Sequence, residues 1–335
     1  MLIKRIGIDL GTANTLVFIE GQGVVLNEPT VVAVGTDDRK VLAVGMEAKH
    51  MLGRTPADVV ASRPMRDGVI ADYEVTEAML AYFIKKAVGK ALFFKPEVII
   101  CVPAGCTQVE SRAVVDAAIS AGARQAFLVD EPLAAAIGAG IEIEVASGNM
   151  IVDIGGGATE AAVISMGGVV ANRNARVGGN KLDEAIAGYI RKQENLIIGD
   201  QTAEDIKLKI GSATALNKEE SLEIKGRDSI TGLPKSINVT SSQVTEALKP
   251  SLNQILTAVK GVLEETPPEL AADIIDKGII LSGGTSQLRG FDRFVTQNTG
   301  VSAHIAEEPL FCVIKGIGLI LSEFDSYKRA ISYRR

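Results

Sequence analysis

The chain has 335 residues, of which 47% are apolar and 4% aromatic, and its formal net charge is −6. This length suits two domains or one large lobed domain, and the apolar fraction is enough to fill sizeable cores. A dedicated nucleic-acid-binding protein is expected to be basic, so the acidic balance argues against a nucleic-acid partner.

The cysteines and the hydropathy exclude two further classes of protein. Cys101, Cys106 and Cys312 form no CxxC pair and are accompanied by only two histidines, so we expect no zinc site and a reducing, cytoplasmic environment. No window approaches the ~20 uncharged apolar residues of a transmembrane helix, and residues 1–5 show no signal-peptide pattern. Any contact with a membrane is therefore expected to be peripheral.

In chain order, the predicted elements alternate between strands and helices. Two strands around a Gly-rich turn are predicted over residues 6–19, and further strands at 24–26, 30–34, 97–102 and 126–129. Helices are predicted from Thr76, over 110–121 and from Pro132. This alternation predicts an α/β fold, with a boundary between two units near residues 144–149.

A duplicated motif is the strongest structural clue in the sequence. Residues 8–15 (IDLGTANT) recur as residues 152–159 (VDIGGGAT), with Asp, Gly and Thr aligned at a single offset of 144 residues. Each copy reads as an apolar strand, an Asp, a turn of small residues and a returning strand. The repeat predicts two similar lobes that each present the same hairpin.

The chemistry of this hairpin points to the phosphates of a nucleotide. Glycine allows backbone N–H groups to form a concave anion-binding turn without interference from a Cβ. Additional side-chain donors are offered by Thr12, Asn14, Thr15 and Thr159. Asp9 and Asp153 end the two strands, and carboxylates there repel phosphates unless a cation such as Mg²⁺ lies between them. The alternative is a pair of ordinary Gly hairpin turns.

A third Gly-rich site follows a later strand. Residues 279–285 (IILSGGT) end in a tight Gly-Gly turn, which lets a flat ring approach the backbone. Alone, this pattern is also a common strand-to-helix turn, so both interpretations remain open.

Together these features resemble the actin/Hsp70/sugar-kinase superfamily, and within it the MreB family of bacterial actins much more closely. The resemblance runs nearly end to end and is carried by residues 7–17 (GIDLGTANTLV), 27–33 (NEPTVVA), 66–72 (RDGVIAD) and 266–270 (TPPEL). It implies an α/β, actin-like two-lobed ATPase fold, in which duplicated ribonuclease-H-like domains enclose a nucleotide cleft. Lobe I would span residues 1–145, with a subdomain inserted at about 33–66 and a C-terminal helix, 318–335, packed back onto it. Lobe II would span 146–317, with a subdomain inserted at about 182–244.

The resemblance also implies which residues bind ATP and Mg²⁺. The phosphates would be contacted by Thr12, Ala13 and Asn14 from lobe I and by Gly156, Gly157 and Ala158 from lobe II. The adenosine would lie near Glu204, Asp205, Ile206 and Lys207, and the adenine between these and Gly284, Thr285, Ser286 and Gln287. Mg²⁺ would be held by Asp9 and Asp153, largely through water. Because Glu204 and Lys207 are spaced i,i+3, they share a helix face, although a surface ion pair is the alternative.

For hydrolysis the resemblance implies Glu131, and the local pattern supports it. A strand ends at Val129, and Pro132 then begins a helix, so Asp130 and Glu131 are placed beside the predicted cleft. A carboxylate there can orient a water for in-line attack on the γ-phosphate. Asp130 is the rival, and either residue can instead simply cap the helix. No lysine or arginine finger is evident, so a slow ATPase is expected.

The expected function is that of a filament-forming bacterial actin. Its implied partners are copies of itself, anionic membrane lipids and membrane proteins of the cell-wall elongation machinery, on the inner face of the cytoplasmic membrane, where it would organise cell-wall synthesis to set rod shape. A small-molecule kinase and an Hsp70-like ATPase are the alternatives. We find no signature of a kinase substrate pocket and no peptide-binding domain after the ATPase lobes.

A short apolar run predicts how the membrane would be reached. Leu92, Phe93 and Phe94 lie in a connection between a helix and a strand, where polar residues are expected, and Lys85, Lys86, Lys90 and Lys95 flank them. One interpretation is a loop that inserts into the membrane, as the resemblance implies. The other is that the three side chains fold back onto the core.

Overall fold

The computed structural model describes residues 5–89, 95–324, 326–327 and, through their backbone, 331–332. The strands of the first half are β1 (Arg5–Leu10), β2 (Asn14–Ile19), β3 (Gly23–Pro29), β4 (Val32–Gly35), β5 (Val41–Val44), β6 (Val59–Ser62), β7 (Met65–Arg66), β8 (Val69–Ile70), β9 (Glu97–Val102) and β10 (Gln125–Asp130). Those of the second half are β11 (Asn149–Ile154), β12 (Thr159–Ser165), β13 (Gly168–Ala175), β14 (Leu196–Ile197), β15 (Ser221–Asp228), β16 (Pro234–Thr240), β17 (Ile279–Ser282), β18 (Ala303–Ile305) and β19 (Ile331–Ser332).

Helices occur in both halves of the chain. They are α1 (Met46–Met51), α2 (Tyr73–Val88), α3 (Gln108–Ser120), α4 (Glu131–Gly138), α5 (Gly179–Glu194), α6 (Asp200–Ile210), α7 (Ser241–Glu265), α8 (Pro268–Lys277), α9 (Phe291–Thr299) and α10 (Cys312–Ser322). None of the helices within the described ranges is both long and apolar enough to cross a membrane.

Two large sheets repeat one topology. The first has the order β3-β2-β1-β9-β10-β19, and the second has the order β13-β12-β11-β17-β18. In each, the first hairpin is antiparallel and the next strand joins in parallel. Ile8 pairs with Val17 in one hairpin and Val152 with Ala161 in the other, so the offset of 144 residues holds on both strands. We call the first sheet with its attached elements lobe I and the second lobe II.

The two lobes share a core built on α4 and α10. Apolar residues of both sheets, including Ile99 and Ile151, pack with Ile314 and Ile317 of α10 in one buried cluster. The two helices approach backbone to backbone, because a Cβ on Gly316 would lie 1.9 Å from the carbonyl oxygen of Ala134. No larger residue fits there, so glycine permits the close contact that joins the lobes at the base of the cleft.

Each lobe carries a small three-stranded sheet. In lobe I the order is β5-β4-β6, within residues 32–62, and in lobe II it is β14-β15-β16, within residues 196–240. They lie in the regions where insertions are predicted, about 33–66 and 182–244. The exact lobe boundaries, 1–145 and 146–317, stay a prediction.

Two elements differ from the sequence-based expectation. Helix α2 begins at Tyr73 rather than Thr76, because the Asp72 carboxylate accepts the Val75 N–H at 3.2 Å and caps the helix. The chain end is not one helix over 318–335: α10 already ends at Ser322, and residues 331–332 pair as a strand with β10. This strand covers what would otherwise be an open edge of the first sheet. Helix α10 does pack on lobe I, against α4 and β1.

Candidate functional site: the cleft between the lobes

The site is built from the turns of the two duplicated hairpins, which meet face to face. A Cβ on Gly156 would lie 2.4 Å from the Cβ of Ala13, and a Cβ on Gly157 would lie 2.5 Å from Oγ1 of Thr12. The turns are therefore in direct contact, and the glycines are what allow it. The Thr12 hydroxyl accepts the Gly68 N–H at 3.0 Å, which leaves its own proton free to be donated to a ligand.

A cavity of about 290 Å³ lies beside this contact and is lined by both turns. Of the residues predicted from the sequence, it is lined by Asp9, Thr12, Ala13, Asn14, Glu131, Asp153, Gly156, Gly157, Ala158, Glu204, Lys207, Gly284, Thr285 and Gln287. The structure thus brings both halves of the duplication, the Gly-Gly turn after β17 and one face of α6 to a single cavity.

Three predicted site residues lie away from this cavity, each for a local reason. Ile206 points from α6 into the core of lobe II and is fully buried. Asp205 is exposed and faces Lys209 on the outer side of the same helix. Ser286 is buried, and its hydroxyl donates to the carbonyl oxygen of Gly283 at 2.7 Å.

The threonines that end the two turns are structural. Oγ1 of Thr15 lies 2.8 Å from Oγ1 of Thr30, and the Thr159 hydroxyl donates to the carbonyl oxygen of Val177 at 2.7 Å. Both side chains are fully buried. The expectation that they donate to a ligand is therefore wrong, and they instead hold the hairpins in shape.

Acidic side chains dominate the electrostatics of the cavity. Seven carboxylates line it, with Lys207 as the one cation among the described lining residues. Burial, and then the charge of Asp153, raise the pKa of Asp9 to about 7. Burial is also the first cause of the raised pKa of Asp153, and for Glu131 repulsion from Glu160 adds to it. Nearby negative charges thus destabilise one another when no cation is present.

This arrangement fits a divalent cation held mainly by a ligand and by water. Asp9 and Asp153 are both buried at the strand ends, where the two turns face each other. Within the described ranges, no three acidic, Cys or His side chains are close enough to hold an ion alone. Mg²⁺ commonly uses one or two carboxylates, phosphate oxygens and retained waters, so a site completed by phosphate suits this donor set.

Glu131 is the carboxylate that the start of α4 places in the cavity. It is the first residue of that helix, directly after β10, and it lines the cavity beside Asp153. Asp130 occupies the N-cap position of α4, and it does not line the cavity. Of the two candidates, Glu131 is therefore the one that lines the cavity.

One wall of the cavity is the face of α6 that carries Glu204 and Lys207. These two side chains do not pair with each other. The Lys207 ammonium lies 2.8 Å from Asp183 and donates to the carbonyl oxygen of Gly179 at 3.1 Å. Glu204 pairs with Lys49 of lobe I at 3.1 Å. Thr285 also lines the cavity, and its hydroxyl donates to the carbonyl oxygen of Gly155, which ties the third Gly site to the second turn.

The sequence-based prediction missed three acidic lining residues, Glu110, Glu160 and Asp183. Glu160 lies on β12, where Oε2 accepts the Ala104 N–H at 3.2 Å and the buried Oε1 has no hydrogen-bond partner among the described residues. Burial raises its pKa to about 8. Asp183 faces Lys207, and burial raises its pKa to about 6. The signal for Glu160 was present in the sequence, since a charged residue within an apolar strand is rarely buried without a function.

Comparisons with known proteins find similar sequences along nearly the whole chain. A family model described as "MreB/Mbl protein" matches residues 3–329. The cell shape-determining protein Mbl of Bacillus cereus is 51% identical over 332 residues, which cover 99% of this chain and 100% of that protein. The cell shape-determining protein MreB of Escherichia coli (strain K12) is 48% identical, with 98% and 96% covered.

Solved structures show the same fold. MreB5 of Spiroplasma citri bound to ADP superposes with a TM-score of 0.92 at 37% identity, covering 98% of both chains. The AMPPNP-bound form has a TM-score of 0.93 at the same identity, with 98% and 99% covered. The MamK double helical filament, at 22% identity, shares the fold with a TM-score of 0.80 over 95% of this chain and 99% of that one. The fold is therefore actin-like.

Proposed function

Because the chain belongs to the MreB/Mbl family, we propose that it is a bacterial actin that binds ATP with Mg²⁺ between its lobes, hydrolyses it slowly and assembles into filaments that determine cell shape. The observation that carries this proposal is the pair of duplicated hairpins whose turns meet at one acidic cavity. The solved relatives bound to ADP and AMPPNP, and the MamK filament, support nucleotide binding and self-association.

In this proposal the turns grip the phosphates from both sides. The backbone N–H groups of the turns, at Ala13 and Asn14 and at Gly156 to Ala158, form the anion-binding surface, and the Thr12 hydroxyl adds a donor. Asp9 and Asp153 would hold Mg²⁺, largely through its waters. When bound, the ion supplies the positive charge that lets phosphates enter a cavity lined by carboxylates.

Hydrolysis then depends on Glu131. Its carboxylate, at the start of α4, orients a water and accepts its proton as the water attacks the γ-phosphate. Lys207 is engaged with Asp183 and Gly179, so among the described lining residues no free cation is left to stabilise charge in the transition state. This arrangement supports the proposal that the ATPase is slow.

Filaments are proposed to act on the inner face of the cytoplasmic membrane, where they organise membrane proteins of the cell-wall elongation machinery. The proposed anchor is Leu92, Phe93 and Phe94, which lie outside the described residues. Burial of these side chains in lipid could supply roughly 1.5–3 kcal/mol each, and nearby lysines add about 1 kcal/mol each with anionic lipids. A monomer would bind weakly, whereas a filament that presents many loops gains from multivalency.

Sedimentation with Mg-ATP tests the central proposal. Purified protein is incubated with Mg-ATP, without nucleotide, or with ATP and a chelator, and pelleted by ultracentrifugation while phosphate release is measured. Nucleotide-dependent pelleting together with slow phosphate release is the expected result. Phosphate transfer to a small molecule without pelleting would favour a kinase of this fold, and ATP turnover without pelleting would favour an Hsp70-like role.

A further inference from the structure

A polar bridge crosses the cleft beside the nucleotide cavity. Lys49, on α1 of lobe I, lies 3.1 Å from a carboxylate oxygen of Glu204, on α6 of lobe II. Nε2 of Gln201 donates to the carbonyl oxygen of Lys49 at 3.0 Å, and Arg54 donates to Oε1 of Gln201 at 3.3 Å. Three contacts therefore join the small subdomain of lobe I to a single turn of α6.

Both ends of the bridge are anchored. In lobe I, the first N–H of α1, from Met46, donates to Glu28 at 3.0 Å, and Ala48 of the same helix is fully buried. In lobe II, Lys207 fixes α6 to Gly179, and the N–H of the next residue, Asn180, donates to the carbonyl oxygen of Gly156 at 2.8 Å. A chain of contacts thus runs from Lys49 through α6 to the second phosphate-binding turn.

Glu204 gives the bridge its link to the ligand, because it also lines the cavity. The cavity is not lined by Lys49, Gln201 or Arg54, so these side chains do not contact a nucleotide bound there. The shared core of α4 and α10 closes the cleft at its base. The small subdomains must therefore separate, and the bridge must break, for the lobes to open on the side opposite that core.

We propose that Lys49, together with Gln201, acts as a positioning latch that fixes Glu204 and slows the release of bound nucleotide. This inference rests on the proposed nucleotide site and adds residues that do not touch the nucleotide. The Lys49 and Glu204 side chains are 28% and 33% exposed, so the ion pair is partly screened by solvent and its effect on release is moderate. Loss of the latch is expected to raise the nucleotide dissociation rate by about three- to tenfold.

The test is the dissociation rate of a fluorescent ATP analogue, preloaded with Mg²⁺ onto unpolymerised full-length protein and chased with excess ATP. The variants are Lys49→Ala, Lys49→Arg and Gln201→Ala, with Lys209→Ala as a matched control. Lys209, like Gln201, lies on α6, and its exposed ammonium is 3.9 Å from Asp205 of the same helix. Release should be faster for Lys49→Ala and Gln201→Ala, near wild type for Lys49→Arg, and unchanged for Lys209→Ala.

Two further readouts separate a latch from general destabilisation. Salt screens the ion pair, so wild-type release should accelerate with ionic strength more than release from Lys49→Ala. In single turnovers, Lys49→Ala should hydrolyse its bound ATP at the wild-type rate, because Lys49 does not line the cavity. A double-mutant cycle with Glu204→Gln should show that the two substitutions are not additive in the dissociation rate.

The outcomes distinguish the latch from the function on which it rests. If wild-type protein retains no nucleotide, both the proposed nucleotide site and the latch are refuted. If wild type binds tightly but Lys49→Ala releases at the same rate, or the cycle is additive, the latch is overturned and the nucleotide site stands. If Lys49→Ala melts well below wild type, the dissociation rate of Gln201→Ala decides instead, because this substitution removes the second contact without a change of charge.

Discussion

Asp153 and Glu160 stand directly opposite each other on β11 and β12, so two buried carboxyl groups share one face of the second hairpin. In the first hairpin the corresponding pair is Asp9 and Leu16. The duplication is therefore symmetric in its backbone and asymmetric in its charge. Only lobe II adds a second carboxylate at this position, on the side of the cavity where Glu131 lies.

The pH dependence of the stability of the nucleotide-free protein should reveal the titration of the buried Glu160. Its pKa is raised from 4.5 to about 8, so between these values the folded state holds a proton that the unfolded state has lost. The free energy of unfolding contributed by this group is complete below about pH 4.5 and is lost as the pH rises towards 8. Glu160→Gln, which removes the titration, should flatten the fall in stability between pH 5 and 8 in denaturant unfolding.

The control for this measurement is Glu219→Gln, which changes an exposed glutamate. Its stability should follow the wild-type curve across the same pH range. Parallel curves for wild type and Glu160→Gln would show that Glu160 does not titrate as its burial implies.

The two strand-end aspartates should control Mg²⁺-dependent binding of ATP. We expect Asp9→Ala or Asp153→Ala to abolish this binding, because each removes a carboxylate that holds the ion. The fold should survive, since burial disfavours the charged form of both carboxyl groups, and Asp9 is in addition repelled by the charge of Asp153. Isothermal titration with and without Mg²⁺, alongside circular dichroism, measures both effects. Wild-type affinity in both variants would refute the two-turn clamp.

Glu131→Ala should separate binding from hydrolysis. Phosphate release is expected to fall by ~10² or more, the lower end of what a positioned general base contributes. Nucleotide binding should persist, and filaments should be longer-lived because the ATP state is retained. Asp130→Ala serves as the comparison, since Asp130 does not line the cavity. Unchanged turnover in Glu131→Ala with loss in Asp130→Ala would reverse the assignment.

The contact between the turns should be sensitive to a single methyl group. In Gly157→Ala the new Cβ would lie 2.5 to 2.8 Å from three side-chain atoms of Thr12, so the turns must separate. ATP affinity is expected to fall by about tenfold or more, which corresponds to ~1.4 kcal/mol.

Gly188→Ala is the matched control, because Gly188 lies within α5 with open space at its Cβ position. It should stabilise the protein by roughly 0.5–1 kcal/mol and leave ATP affinity unchanged. Equal affinity for Gly157→Ala and wild type would show that the turns open freely.

The membrane proposal is tested with liposomes. A Leu92/Phe93/Phe94→Ser triple variant should still form filaments with Mg-ATP but should pellet much less with anionic liposomes than wild type does. Ile275→Ser, which changes an exposed apolar residue on α8, is the control and should bind as wild type. If the triple variant polymerises and pellets equally with liposomes, the apolar run is not the anchor and packs elsewhere.

Local patterns in the sequence were enough to predict the α/β class and the two hairpins. A strand, an Asp and a turn of small residues lie within eight consecutive positions, so the motif and its repeat at residue 152 are readable without any long-range contact. The i,i+3 spacing likewise predicts that Glu204 and Lys207 share a face, and both line the cavity. These predictions hold because helix and strand geometry are set by neighbouring residues.

Partners across the cleft were decided only by tertiary structure. Lys49 meets Glu204 across a sequence separation of 155 positions, and Glu160 accepts the Ala104 N–H from the other lobe, although neither pairing has a local pattern. The same holds for the return of residues 331–332 to the edge of β10. The sequence thus determined which chemical groups this protein has and which hairpins present them. Packing of the lobes decided which groups meet, because charges and hydrogen bonds act through space at a few ångströms, whatever their separation along the chain.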